Sequence, residues 1–159
     1  MDVPDRSDSA GSEPPTTRQA WMAVLARAGR DELESLIERL GGIPAHTVLK
    51  PAETGTVMVE GRAGGTGRRF NLGEATMTRC VVRLANGTMG FAYALGTDRR
   101  KSLLSAVIDG LLQDPERGAD IARTEIAPLA ARQRAAKELA LRKAAATKVD
   151  FFTLVRGHD

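Results

Sequence analysis

Asn86-Gly87 is the feature that most limits what this chain can fold into. It separates two runs, Glu74–Leu84 (EATMTRCVVRL) and Thr88–Leu95 (TMGFAYAL). Asn-Gly is the preferred pair for a two-residue hairpin turn, because both residues tolerate positive φ. The runs are therefore predicted to be adjacent antiparallel strands. A two-residue turn pairs Ala85 with Thr88. It places Leu84 opposite Met89, Val82 opposite Phe91, Cys80 opposite Tyr93 and Thr78 opposite Leu95. The second face then carries Arg83 with Gly90, Val81 with Ala92 and Arg79 with Ala94. Such a flat face suits close approach by an internal helix, a partner chain or an anionic ligand. A short strand, Thr56–Arg62, precedes the pair.

Helical periodicity flanks this centre. Trp21, Val24, Leu25 and Ala28 recur at three- and four-residue spacings. Asp31 and Glu34 have the form of a capping box, with Leu33, Leu36, Ile37 and Leu40 as the apolar stripe, and Gly41-Gly42 stops that helix. Asp98 is placed to cap a helix whose stripe is Leu103, Leu104, Val107, Ile108, Leu111 and Leu112. Asp109 reads as an ordinary residue on its surface. Asp114-Pro115 opens a short helix over residues 116–126, and Pro128 is expected to break it or start another. An Ala-rich helix follows at about 129–147. The fold class is α+β: a small antiparallel sheet, a meander of two or three strands with a C-terminal strand as a possible addition, packed with N-terminal and C-terminal helices.

Residues 1–17 are rich in Pro, Ser, Gly and Asp, which predicts a disordered tail ahead of one domain over 18–159. The single cysteine excludes a disulfide scaffold or an iron–sulfur cluster held within the chain, and the two histidines are far apart, so no metal site is expected. No run approaches a transmembrane length and the acidic N-terminus does not resemble a secretory signal, so a cytoplasmic protein without membrane contact is expected. The net charge of +3 is too small to imply nucleic acid. The basic residues concentrate in 123–148, without the interleaved aromatics that stack bases, so a partner protein is preferred there.

The stretch densest in candidate chemistry is GRAGGTGRRFNLGEATMTR, residues 61–79. Gly64, Gly65 and Gly67 permit sharp turns, their amides could cradle an anion, and Arg68 and Arg69 lie beside them. The plainer alternative is a hairpin tip with solvated arginines. Neither a Walker loop nor a dinucleotide fingerprint is present. Glu74, Thr76 and Thr78 share one strand face, with Arg79 on the other. Glu74 could accept a proton, orient a hydroxyl or pair with an arginine. Cys80 reads as a buried structural thiol. Neither His46 nor His158 is given a role.

The segments FNLGEAT-x-TRC (residues 70–80) and VDFF-x-x-VRG (149–157), with RQAWMAVLARA and IAPLAARQ, resemble the PhnG family of the bacterial carbon–phosphorus lyase system. The likeness spans Arg18 to Gly157. It implies a subunit of a core complex with PhnI as direct partner, alongside PhnH and PhnJ, and with PhnL functionally linked. Together G, H, I and L support displacement of adenine from ATP by an alkylphosphonate, so ATP and alkylphosphonate are substrates of the complex, and no cofactor belongs to this chain. The chemistry is expected to centre on PhnI. On this footing Arg68, Arg69 and Arg79 lend positive potential, with Gly64, Gly65, Gly67 and Asn71 in a phosphate-binding loop and Glu74 as the candidate catalytic group. Phe151, Phe152 and Arg156 are expected at an interface. A purely structural subunit without substrate contact is the alternative.

Overall fold

A computed structural model of the chain describes residues 17–146. Thr17 caps α1 (Arg18–Arg27) by accepting the Ala20 N–H at 3.3 Å, and α1 buries Trp21, Val24 and Leu25. In α2 (Arg30–Arg39) the carboxylate that reaches back is Glu32, which accepts the Gly29 N–H at 2.9 Å. The predicted box is thus displaced: Asp31 sits in the first turn, and Glu34 pairs with Arg100 at 3.2 Å. Gly41 and Gly42, at φ 96° and 94°, end the element in a conformation that disfavours a side chain.

The sheet is an antiparallel meander in the order β1 (His46–Arg62), β2 (Arg69–Leu84), β3 (Met89–Leu95). The first hairpin is far longer than Thr56–Arg62 suggested. The second corrects the predicted register by one residue. Cys80 lies opposite Ala92, Val82 opposite Gly90 and Arg83 opposite Met89. The connection is a three-residue loop, with the Leu84 N–H donating to Thr88 O and the Gly87 N–H to Leu84 O, each at 2.9 Å. Only Gly87 takes positive φ, at 88°, and Asn86 instead accepts the Thr88 N–H through its side chain at 3.0 Å. A left-handed Gly after a three-residue turn is the bulged alternative to the two-residue turn. A one-residue slip between two strands exchanges the cross-strand partners on each face. Thr78, Cys80, Val82 and Leu84 therefore share the buried face with Gly90, Ala92 and Ala94, while Arg79, Val81 and Arg83 share the other with Tyr93, Phe91 and Met89.

The flat strip of Gly90, Ala92 and Ala94 is covered by an internal helix, α3 (Arg99–Leu112), which Asp98 caps by accepting the Lys101 N–H at 2.9 Å. That bond, with the Arg30 guanidinium beside it, holds the Asp98 carboxyl below its ordinary range. The core of Leu33, Val82, Leu104, Val107, Ile108 and Ile126 is fully buried between α3, the sheet and the flanking helices. A short α4 (Gly118–Ile121) passes through a π-helical turn at Ala122–Ile126 into α5 (Ala127–Ala146). Pro128 sits in the first turn of α5, the second of the two expected outcomes, without interrupting the run. The wider turn ahead of it relieves the clash that a proline ring makes with the carbonyl four residues back. Beyond Ala130, α5 is almost wholly exposed and projects as an arm of about 24 Å at 1.5 Å per residue.

Asp109 is the main departure from the sequence reading. It is fully buried. Its carboxylate accepts from Arg18 Nη2 at 2.7 Å, Trp21 Nε1 at 2.9 Å, the Phe91 backbone N–H at 2.9 Å and Gln113 Nε2 at 3.2 Å. One side chain thus ties α1, β3 and α3 together. Cys80 is also buried, and desolvation raises its thiol pKa. Because the thiolate is the reactive form, alkylation of Cys80 at pH 8 should proceed only on unfolding. Labelling of the native protein as fast as of the urea-denatured chain would contradict that burial.

Candidate functional site

The sequence-predicted residues from Gly64 to Glu74 fall along the outer half of the β1–β2 hairpin, which extends past β3 as a two-stranded arm. Its tip is a turn at Ala63–Gly65, with Gly64 at φ 60° and Gly65 at φ 84°. Gly67 approaches so closely that a Cβ there would overlap the Ala63 carbonyl oxygen, to which its own N–H donates at 2.7 Å. All three glycines thus have a backbone reason to be glycine, and the Gly67 amide is already occupied.

Direct cross-strand partners lie on one face, and alternate residues repeat it. Arg62 opposes Arg69 and Glu60 opposes Asn71. These four share a face. A bulge shifts the register between Val59 and Glu60, after which Glu74 opposes Met58 and Thr76 opposes Thr56, again on that side. The tip therefore gathers Arg62, Arg68 and Arg69, all exposed, against the single carboxylate of Glu60, which lies 3.9 Å from Arg69. Like charges directly opposite one another destabilise a strand pair, so an anion set between Arg62 and Arg69 would relieve their repulsion. Arg62 was missed by sequence reasoning. Only the register, which puts it across from Arg69, could have shown its place.

Arg79 is not part of this group. It lies ten residues along β2 from Arg69, about 33 Å at 3.3 Å per residue. It is also on the opposite face, bound to Glu53 at 2.6 Å. Lys50, 3.0 Å from Glu53, and Arg79 together hold the Glu53 carboxyl below its usual range. Glu74 is exposed, about 10 Å along the strand from Asn71. No ion pair involves it among the described residues. His46 is half-buried with Nδ1 2.8 Å from the Pro44 carbonyl oxygen. Phe151, Phe152, Arg156 and His158 lie outside the described residues. No group of acidic, histidine or cysteine side chains able to hold a metal occurs among the described residues, and no helix among them is long and apolar enough to cross a membrane.

The family model for the phosphonate metabolism protein PhnG matches residues 16–157, nearly the whole length. The chain belongs to the PhnG family. It is 40% identical, over 100% of its own length and 99% of the relative's, to a Rhizobium meliloti (strain 1021) protein described as alpha-D-ribose 1-methylphosphonate 5-triphosphate synthase subunit PhnG. The match takes in the whole hairpin arm, the Asp109 junction and α5. In this PhnG-family chain the arginines of the arm are a surface feature at the end of a projecting ribbon, displaced from the hydrophobic core rather than enclosed in a pocket of the domain.

Proposed function

We propose that this chain serves as a subunit of the synthase for which its Rhizobium relative is named, with a PhnI-type subunit as direct partner, PhnH and PhnJ in the same core complex and PhnL functionally linked. The reaction is displacement at C1 of the ATP ribose: an alkylphosphonate oxygen forms the new bond, the bond to N9 breaks, and adenine leaves with a proton. The full-length identity to a named subunit carries this reading. The site geometry supports a contributory role. Both substrates are polyanions, and Arg62, Arg68 and Arg69 stand at the end of an arm that can enter a pocket formed largely by a neighbour. Arg79 keeps its Glu53 pairing in this reading and is not assigned to phosphate.

Adenine release from ATP and methylphosphonate by the reconstituted complex is the test. Omitting this chain should abolish turnover. Arg69→Ala should raise KM for one substrate by about tenfold or more, the scale of one lost charge-assisted hydrogen bond, with assembly intact. Glu74→Gln should lower kcat if the carboxylate takes or orients a proton. The exposure of Arg62, Arg68, Arg69, Asn71 and Glu74 favours the second reading, an assembly subunit without substrate contact. Unchanged kcat and KM in both variants, in an intact complex, would select it.

A further inference from the structure

The register divides the arm and the sheet into two unlike faces. On the side away from α3, Phe70 opposes Gly61, and a Cβ on Gly61 would lie 3.3 Å from the Phe70 ring and 4.0 Å from Leu72. Phe70 and Leu72 therefore share that face. Val57 with Ala75, Met77 with Leu95, and Val81 with Phe91 continue it to Tyr93 and Met89. Leu72 and Leu95 are each 66% exposed, and Phe70, Tyr93 and Met89 between 41% and 49%. The opposite face of the arm carries Arg62, Arg69, Glu60, Asn71, Glu74, Thr56 and Thr76 around one apolar residue, Met58. An exposed two-stranded ribbon in water has no reason to concentrate its apolar side chains on one side. A sheet with a helix layer on one face lacks the second layer that would bury the other.

We propose that this apolar outer face is the surface on which the PhnI-type subunit seats, leaving the arginine-bearing face of the same ribbon turned toward substrate. The inference rests on the subunit reading above and adds the surface to it. The 16-residue β2 spans about 53 Å. With two to three strands about 4.8 Å apart, the strip projects roughly 600 Å², which side-chain relief brings toward the ~800 Å² per partner of a stable interface. Among the described residues both long edges of the arm are also unpaired, since β3 reaches only Met77 and no described strand pairs with the outer side of β1. Such edges are templates on which another chain can pair. The charges on the face define the partner further. Lys50 and Arg79 already share Glu53, whereas Arg83 is exposed and has no ion pair among the described residues. The complementary surface is thus an apolar ridge with a carboxylate placed opposite Arg83.

The full-length chain, co-expressed with the PhnI-type subunit, provides the test by pull-down and light scattering. Leu72→Asp with Phe70→Asp should weaken association by about 100-fold or more, the scale of lost interface anchors. Arg69→Ala and Glu74→Gln, on the opposite face, should assemble as wild type. Because Phe70 and Leu72 lie outside the buried core, the variant should keep the wild-type melting temperature, and Tyr93→Asp gives a second, independent disruption. Normal assembly of both outer-face variants would overturn the proposal while leaving the subunit reading intact. Failure of the wild-type chain to bind would overturn both. Two other occupants would also overturn it. A wild-type dimer dissociated by Leu72→Asp would identify a second copy of the chain. Loss of hydrogen-exchange protection on β3 after removal of residues 147–159 would identify the chain's own C-terminal segment.

Discussion

Replacing Asp109 with alanine is expected to cost about 2–6 kcal/mol of folding stability, the scale of two donors left without an acceptor at about 1–3 kcal/mol each. Arg18 can turn toward water, its side chain being 41% exposed. The Trp21 indole N–H and the Phe91 N–H cannot. Each loses its acceptor, the indole N–H in a buried setting and the Phe91 N–H in a part-buried one. The Arg18 guanidinium also lies 5.2 Å from the Phe91 ring centroid, so releasing it removes a cation–π contact. Trp21 is the sole tryptophan, so its emission reports on the junction directly. Urea denaturation should show a lower midpoint, with red-shifted native emission. Asp109→Asn, which keeps the volume and one acceptor oxygen, should fall between the variant and wild type. An alanine variant within about 1 kcal/mol of wild type would mean that the four donors find other partners, against the usual cost of orphaned groups.

Gly90→Ala is expected to destabilise by about 3 kcal/mol or more, at the upper end for overpacking a core. A Cβ on Gly90 would overlap the Ala106 carbonyl oxygen and stand 2.9 Å from the Gly110 nitrogen, both backbone atoms of α3. Backbone cannot rotate aside, so the helix must lift off the sheet or β3 must bend. Gly110→Ala is the internal comparison. Its Cβ would meet Leu84 Cδ1 at 2.9 Å, the end of a side chain that can change rotamer. The ordering Gly90→Ala worse than Gly110→Ala, read from thermal melts, follows from that difference. The reverse ordering would show that the packing of α3 on β3 is not set by backbone contact.

The elements were largely legible because their signals are local. A cap three residues ahead of a helical N–H, as at Asp98, and an Asn-Gly between apolar runs act over a few residues. The register of the second hairpin was not legible. Asn86-Gly87 is compatible with two turn geometries that differ by one residue, and the choice depends on which strand face can accept α3. The observed choice buries Gly90, Ala92 and Ala94 beneath the helix, whereas the two-residue turn would have set the arginines across from them. The role of Asp109 was invisible for a related reason. Its donors lie 88 and 91 residues away on α1 and 18 residues away on β3, and helical spacing says nothing about what a neighbouring element presents.

The candidate site divides in the same way. The glycines and arginines of residues 61–69 stand out in the sequence, because a Gly/Arg cluster has a limited set of physical uses. Grouping them needed the strand pairing. That pairing adds Arg62 to the tip, and it removes Arg79 to the far end of β2 and the other face. By itself the sequence determined the fold class, the Asp98 helix cap, the place of the Asn86-Gly87 hairpin and the family, since each is carried by contiguous residues. The tertiary structure decided the register, the buried carboxylate at the junction of α1, β3 and α3, and the contrast between the two faces of the arm. Those depend on contacts between segments distant in the chain, where a one-residue shift in pairing changes what each side chain meets.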